Sequence, residues 1–188
     1  MSGGQELRTV VADTSALVSL AIPRTDADDE RETNLDPLRW LLTSCSVAVP
    51  EAVVDELHDV ATHSDVHGSA ATAVLAAREH YAVEQPYAVD GPSRPAFDLD
   101  DGETDAIVLA NSLGVDGLVT DEFGGTNFAL IHAVLEGPRL VTTPRLVCDY
   151  ARNGHVSHAD ARDAIREIGR HRSWEGSRYV AQLLALLE

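Results

Sequence analysis

Lysine is absent from this chain: its fourteen basic residues are all arginine, and they are outnumbered by 31 aspartates and glutamates. The formal net charge is −17 at pH 7. Carboxylates remain hydrated in concentrated salt, and their mutual repulsion is screened there because the Debye length falls to about 3 Å at 1 M. An acidic, lysine-free composition therefore indicates a protein of a halophilic cytoplasm.

The missing lysine also excludes two classes of phosphate chemistry. A P-loop nucleotide hydrolase needs Gly-x-x-x-x-Gly-Lys-Ser/Thr, and a phosphoacceptor receiver domain needs a lysine beside the phosphoryl group. A haloacid-dehalogenase-type phosphatase requires Asp-x-Asp after its first strand, whereas here the sequence is Asp13-Thr14-Ser15. Neither a Gly-x-Ser-x-Gly elbow nor a cysteine nucleophile is visible.

Cysteines and long apolar runs are scarce as well. Cys45 and Cys148 lie far apart, which fits neither a disulfide framework nor a zinc motif. We expect two buried thiols in a reducing cytosol. No apolar run approaches the roughly 20 residues of a membrane span, and the polar first eight residues do not resemble a signal peptide. These features predict a cytoplasmic protein with no membrane partner.

Short apolar stretches that favour strands alternate with helical patterns along the 188 residues. This alternation predicts an α/β fold with a short-stranded, mainly parallel sheet and helices on both faces. We expect one domain over residues 1–188, with a core at about 8–150 and a helical extension at about 151–188. The predicted strands are 9–13, 47–49, 117–120 and 139–141. The predicted helices are 14–21, 38–42, 70–81, 101–113, 126–135, 144–152, 159–170 and 177–187. A further helix is predicted to begin with Pro50 in its first turn. The predicted loops are 23–36 and 90–95.

Acidic residues follow the predicted strands at the places where sites form in such sheets. Asp13 and Asp121 come directly after the carboxyl ends of two strands, where the ligand crevice of an open α/β sheet lies. Glu56 lies in the helix after the second strand, and Glu103 and Asp105 lie in the first turn of another helix. Burying carboxylates together is costly unless a cation neutralises them. Hard oxygen ligands suit Mg²⁺ or Mn²⁺, which also bind phosphate.

Four stretches, in this order, resemble motifs of PIN-domain proteins. Residues 10–17 (Val-Val-Ala-Asp-Thr-Ser-Ala-Leu) resemble the opening motif, an apolar strand followed by Asp-Thr-Ser. Residues 49–57, 102–110 and 118–122 resemble the second, third and fourth motifs. Each motif is weak alone, but four in order over about residues 8–150 are a strong signal. The closing helices resemble those of archaeal VapC-like members.

This resemblance implies a three-layer α/β/α PIN-like fold and a metal-dependent endoribonuclease, either a toxin or an RNA-processing enzyme. It implies Mg²⁺ or Mn²⁺ held by Asp13, Glu56, Asp105 and Asp121, with Glu103 and Glu122 as substitutes. Asp105 is preferred to Glu103 because it lies one residue before the apolar stripe of its helix. Asp121 is preferred to Glu122 because it directly ends the strand. The implied partners are an RNA substrate, a small antitoxin-like protein, and a second copy in a homodimer.

Several polar residues have both a functional and a structural interpretation. Thr14 and Ser15 open the first helix as N-caps, and the resemblance implies that one hydroxyl also bonds a ligand acid or a metal-bound water. Asn127 contacts phosphate or lies at the surface. Arg162, Arg166 and Arg170 form one helical stripe, which is either a phosphate- or partner-binding face or a salt-bridged surface. Residues 139–178 carry a local charge of +3, which hints at a polyanion or an acidic partner.

Three alternatives stay open. His58, His63 and His67, with Asp59 or Asp65, mimic a zinc site, although no cysteine supports it. The apolar run at 180–187 is a core helix or part of a dimer face. A catalytically silent PIN-like module that binds nucleic acid or protein is the alternative function, and the intact set of acids argues against it.

Overall fold

The computed structural model describes residues 7–25, 35–87, 91 and 93–188. Within these ranges five strands form one parallel sheet, in the order β3-β2-β1-β4-β5. The strand β1 is central, and its Val10 pairs with Val47 on one side and Gly117 on the other. The strands are β1 (Thr9–Ala12), β2 (Ser46–Pro50), β3 (Ala82–Glu84), β4 (Gly117–Thr120) and β5 (Arg139–Thr142).

Helices connect the strands, as right-handed parallel crossovers require. They are α1 (Thr14–Thr25), α2 (Pro37–Ser44), α3 (Glu51–Val60), α4 (Val66–Ala76), α5 (Asp101–Leu113), α6 (Gly125–Val134), α7 (Thr143–Arg152), α8 (His158–His171) and α9 (Arg178–Ala185), with a short 3₁₀ helix at Arg78–His80. Gly114 ends α5 in the left-handed conformation, with φ of 59°, which glycine adopts without a steric penalty.

Apolar side chains on both faces of the sheet are buried, which confirms the predicted three-layer α/β/α architecture. Side chains alternate along a strand, so Val10 and Ala12 pack into a larger core with α1, α2, α4, α7, α8 and α9. Val11 and Leu118 point the opposite way and pack with α5 and with Ile131 of α6. Both faces of β1 are therefore covered by packed side chains and shielded from solvent, as its continuous apolar sequence indicates.

Some predicted boundaries were wrong. The edge strand β3 was missed, because three residues are too short to show a period. The helix α1 continues through the buried Pro23 to Thr25 instead of ending near Ala21. Pro50 is the extended N-cap of α3 and not part of its first turn. The predicted helix at 70–81 begins earlier, at Val66, and ends at Ala76. Residues 26–34, 90 and 92 of the two predicted loops lie outside the described residues.

Cys45 and Cys148 are both buried and are not joined in a disulfide, as predicted. In the part of the chain that the structure describes, no helix is both long enough and apolar enough to cross a membrane.

The C-terminal helices belong to the larger core. Ile165 and Ile168 of α8 are fully buried, and Val180 and Leu183 of α9 are nearly so. The run at 180–187 is thus a core helix on one side, while its Leu186 is 52% exposed. Because these helices bury apolar surface of α1 and α7, residues 151–188 are part of the folded unit.

Replacing Ile165 with alanine should lower the free energy of unfolding by about 2–5 kcal/mol, because it leaves a cavity in the larger core. Urea denaturation followed by circular dichroism measures the change. Leu186→Ala is the matched control on the exposed side of the same extension, and it should change stability by less than about 0.5 kcal/mol. Equal effects of the two substitutions would mean that the extension is not packed on the core.

Candidate functional site

A cavity of about 470 Å³ opens beside the carboxyl ends of β1 and β4, where the crevice of an open parallel sheet is expected. Its walls come from the N-terminal ends of α1 and α5, from α3, from the segment between α3 and α4, and from the end of α8. Acids predominate among its polar groups. The lining residues are Asp13, Thr14, Ser15, Val18, Glu56, Asp59, Val60, His63, Asp65, His67, Asp100, Glu103 and Arg172.

Asp13 lies at the inner end of this cavity. Its Oδ1 accepts hydrogen bonds from the Ser15 hydroxyl at 2.8 Å and from the backbone N–H of Ala16 at 2.7 Å. Only 3% of the residue is exposed. Burial raises the pKa of Asp13 to about 7 despite these hydrogen bonds. A carboxylate at this position is therefore unfavourable unless a cation accompanies it.

Glu56 of α3 bridges the starts of two other helices. Its Oε1 accepts the backbone N–H of Gly102 in the first turn of α5 at 2.8 Å, and its Oε2 accepts the Thr14 hydroxyl of α1. Burial raises the pKa of Glu56 above its usual range. Residue 102 can only be glycine here without displacing Glu56, because an added Cβ would lie 2.5 Å from Oε1.

Glu103 lines the cavity from the first turn of α5. Burial raises the pKa of Glu103 to about 7, and the nearby charges of Asp100, Asp13 and Glu122 add to this effect. Asp100 is the N-cap of α5, and its side chain accepts the Glu103 N–H at 2.7 Å. These acids are thus close enough to raise one another's free energy when ionised.

Asp105 does not line the cavity and is held by a different group of residues. Its two oxygens accept a bidentate pair of hydrogen bonds from Arg94, at 2.7 and 2.8 Å, and Oδ1 also accepts the Tyr87 hydroxyl at 2.7 Å. Residues i and i+2 point to different sides of a helix, and the side that faces the cavity is that of Glu103. In the structure Glu103 lines the cavity and Asp105 does not, whereas the sequence pattern ranked Asp105 first.

Asp121 follows β4 and does not line the cavity, and 8% of its side chain is exposed. Its Oδ2 accepts the Ser19 hydroxyl at 2.7 Å and lies 3.3 Å from Nε of Arg172. Its Oδ1 is buried, and no described residue forms a hydrogen bond with it. Burial raises the pKa of Asp121, and the charge of Arg172 opposes this rise. The neighbouring Glu122 is close enough to act on Glu103 electrostatically, although it does not line the cavity.

The chemistry of these groups fits a hard divalent cation. The unpaired Oδ1 of Asp121 and the raised pKa values of Asp13 and Glu103 are features that a bound cation would relieve. Among the described residues, no three His, Cys, Asp or Glu side chains already form a cluster that could hold a metal. Binding would therefore require the carboxylates to move closer together.

The remaining predicted residues divide between the cavity and the surface. Thr14 and Ser15 line the cavity, and Ser15 also accepts the backbone N–H of Asp121 at 3.2 Å. Asn127 lies in α6, away from the lining described here. Of the histidines, His63 and His67 line the cavity.

The arginine stripe of α8 also lies away from this cavity. Arg170 pairs with Glu167 at 2.7 Å, and Arg166 lies 3.7 Å from Asp163. Nε of Arg162 is buried, with no hydrogen-bond partner among the described residues. For Arg166 and Arg170 the geometry matches the salt-bridged surface helix.

Two residues at the site were not predicted from the sequence. Asp100 carried a usable signal, because an aspartate directly before a predicted helix is a preferred N-cap. Arg172 carried none, since it is about 50 residues from Asp121 and lies in the extension that the motifs do not cover. Only the packing of α8 on α1 brings it to the acids.

In metal-free protein, Asp13→Asn should raise the free energy of unfolding at pH 8 by at least about 1 kcal/mol, since one pKa unit is worth about 1.4 kcal/mol. The folded pKa of about 7 exceeds the model value of 3.8. Ionised Asp13 therefore destabilises the fold, and this penalty grows as pH rises from about 4 through 7. Thermal unfolding in EDTA at pH 5 and pH 8 measures it.

Asp116→Asn is the opposite-sign control for this measurement. Backbone N–H groups of Arg8 and Thr9 donate to Asp116 and lower its pKa. Its ionised form therefore stabilises the fold at neutral pH, and the substitution should lower stability there. An Asp13→Asn variant less stable than wild type at pH 8 would contradict the burial argument.

Gly102→Ala should displace the Glu56 carboxylate while costing little folding stability, because the group that must move is the end of a flexible side chain. Any function that depends on Glu56 should fall by about 10–100-fold, as for residues that orient ligands. Gly169→Ala is the control, since its added Cβ would meet only ordinary contacts with Trp174. A crystal structure of Gly102→Ala with Glu56 unmoved would refute this account.

The family model DUF3368, described as a PIN domain, matches the chain over residues 9–188. No curated protein matches the chain. PIN domains are generally nucleases, and the matched region contains every acid of the cavity. The chain therefore belongs to the PIN-domain family.

Proposed function

We propose that this protein is a metal-dependent endoribonuclease that hydrolyses RNA phosphodiester bonds, as a toxin-type or an RNA-processing enzyme. The observation that carries the proposal is the set of buried or half-buried carboxylates on three separate elements around one cavity. A fold gains no stability by gathering such groups, because each raises the pKa of its neighbours. A divalent cation would neutralise these carboxylates and would also bind a phosphate group.

Asp13, Glu56 and Glu103 are the residues that we assign to the metal, because they line the cavity together. Asp121 contributes through its free Oδ1, and Glu122 adds negative charge nearby. Mg²⁺ or Mn²⁺ at this position would orient the scissile phosphate, activate water and stabilise the leaving oxygen. Asp105 is left out of this set because Arg94 and Tyr87 already satisfy both of its oxygens.

The hydroxyl and amide groups around the acids position them for this work. Ser15 donates to Oδ1 of Asp13, and a hydrogen bond with the Thr120 side chain also lowers the pKa of this carboxyl group. Thr14 and Gly102 together fix both oxygens of Glu56. The N-terminal ends of α1 and α5 are directed at the site, and their dipoles favour negative charge there. The N–H groups of Ala16 and Gly102 already donate to Asp13 and Glu56, so these helix starts stabilise the acids of the site.

The negative charge of the chain sets conditions on RNA binding. With a net charge of −17, the protein repels a polyanion at low salt. RNA binding should therefore depend on bound metal and on screening by concentrated salt. We therefore propose a halophilic setting, and we place the protein in the cytoplasm as its sequence features predict. We propose a small antitoxin-like protein as the partner that restrains the toxin-type form, and a second copy of the chain as the partner in a homodimer.

Cleavage of RNA by the folded protein in concentrated KCl with Mn²⁺ or Mg²⁺ is the direct test. EDTA should abolish it, and Asp13→Asn and Glu103→Gln should each lower the rate more than about 100-fold, since they remove proposed ligands. The fragments of end-labelled RNAs, resolved on gels, measure the rate. Internal cuts in a circular RNA establish endonuclease action.

Asp105→Asn is the matched control from the same helical turn. It should retain cleavage and lose folding stability, by about 1–3 kcal/mol, because it breaks the hydrogen bonds from Arg94 and Tyr87. The opposite pattern, with Asp105→Asn inactive and Glu103→Gln active, would overturn the assignment of Glu103. Folded, metal-replete protein that binds diverse RNAs and cuts none would support the silent binding module instead.

A further inference from the structure

Arg172 is the one residue of the C-terminal extension that lines the cavity, among the residues described. It directly follows α8 and caps its end. Its side chain, 25% exposed, extends to the N-terminal half of α1 and to the acid after β4. Neither the motifs nor the family assignment gives it a role.

Three contacts fix the guanidinium group. Its Nε donates to the Ser19 hydroxyl at 2.6 Å, and one terminal nitrogen donates to the backbone carbonyl of Ser15 at 2.7 Å. Nε also lies 3.3 Å from Oδ2 of Asp121. Since Ser19 donates to that same Oδ2, both groups bind one oxygen of Asp121 and leave Oδ1 without a partner.

The result is a fixed positive charge on one side of the acidic site. The other side, with Glu56 and Glu103, has no arginine in the cavity lining. A guanidinium is always protonated and cannot leave the site as a metal ion can. A second divalent cation beside Asp121 would have to approach this charge at short range and in a partly buried position, where like charges repel strongly.

We propose that Arg172 takes the place of a second metal ion, so that the site binds one divalent cation beside Asp13, Glu56 and Glu103. This inference rests on the proposed metal-dependent function. Arg172 acts as a positioning residue in this scheme: it neutralises Asp121, binds its Oδ2 together with Ser19, and limits the number of cations. The extension thereby completes the site.

The test counts Mn²⁺ ions bound to the intact protein, by isothermal titration calorimetry and by EPR spectroscopy. Wild type should bind one ion and give the spectrum of isolated Mn²⁺. Arg172→Met, which removes the charge and retains length, should bind a second ion and show exchange coupling between neighbouring ions. Arg172→Lys should restore the single ion, a rescue that purely structural damage would not give.

Arg170→Met is the matched control, because Arg170 lies on the same helix, 60% exposed and away from the cavity. It should keep one ion. If Arg172→Met fails to fold, Arg172→Gln replaces it. Two coupled ions in wild type, or one ion of unchanged affinity in both neutral variants, would overturn the inference. If the wild-type protein binds no ion, the proposed metal-dependent function is itself contradicted. This outcome differs from those that overturn only the inference about Arg172.

Discussion

The gathering of carboxylates at the carboxyl ends of β1 and β4 is the constraint on which the rest of the site depends. Taking these groups out of water is costly, and each ionised acid raises the energy of the next. The protein offsets part of this cost with directed donors: Ser15 and an N–H of α1 for Asp13, and Thr14 and an N–H of α5 for Glu56. These donors do not neutralise all of the negative charge of the acids. The remaining negative charge would favour a bound cation.

The same constraint explains features that would otherwise look unrelated. Two helices begin at the cavity, where their N-terminal dipoles favour anions. Glycine occupies position 102 because a side chain there would displace Glu56. Buried Asp121 needs a permanent positive neighbour, and α8 supplies it through Arg172. The C-terminal helices therefore do more than extend the core: they complete the charge distribution of the site. Some of the arginines that are in excess in this region form ion pairs with acidic residues of the same chain.

Much of this arrangement could be predicted from local patterns. The helix α5 and the strand β4 have the predicted bounds, because periodic apolar residues and Gly114 define them. The positions of Asp13 and Glu56 at one site follow from parallel topology, since the carboxyl ends of neighbouring strands share an edge. The strand β3 and the boundary of α1 could not be predicted in the same way. A three-residue edge strand has no measurable period, and the packing of Pro23 into the core overrides its local preference.

The sequence by itself determined the fold class, the family resemblance and the set of acids from which the site is built, because these depend on periodicity, order and spacing. Tertiary structure decided which of those acids face the cavity. Glu103 and Asp105 are two residues apart, and only the contacts of Arg94 and Tyr87 with Asp105 show which one remains free. It also decided that Arg172 is the neighbour of Asp121. Such a choice depends on how α8 packs against α1, a long-range contact that no local pattern encodes.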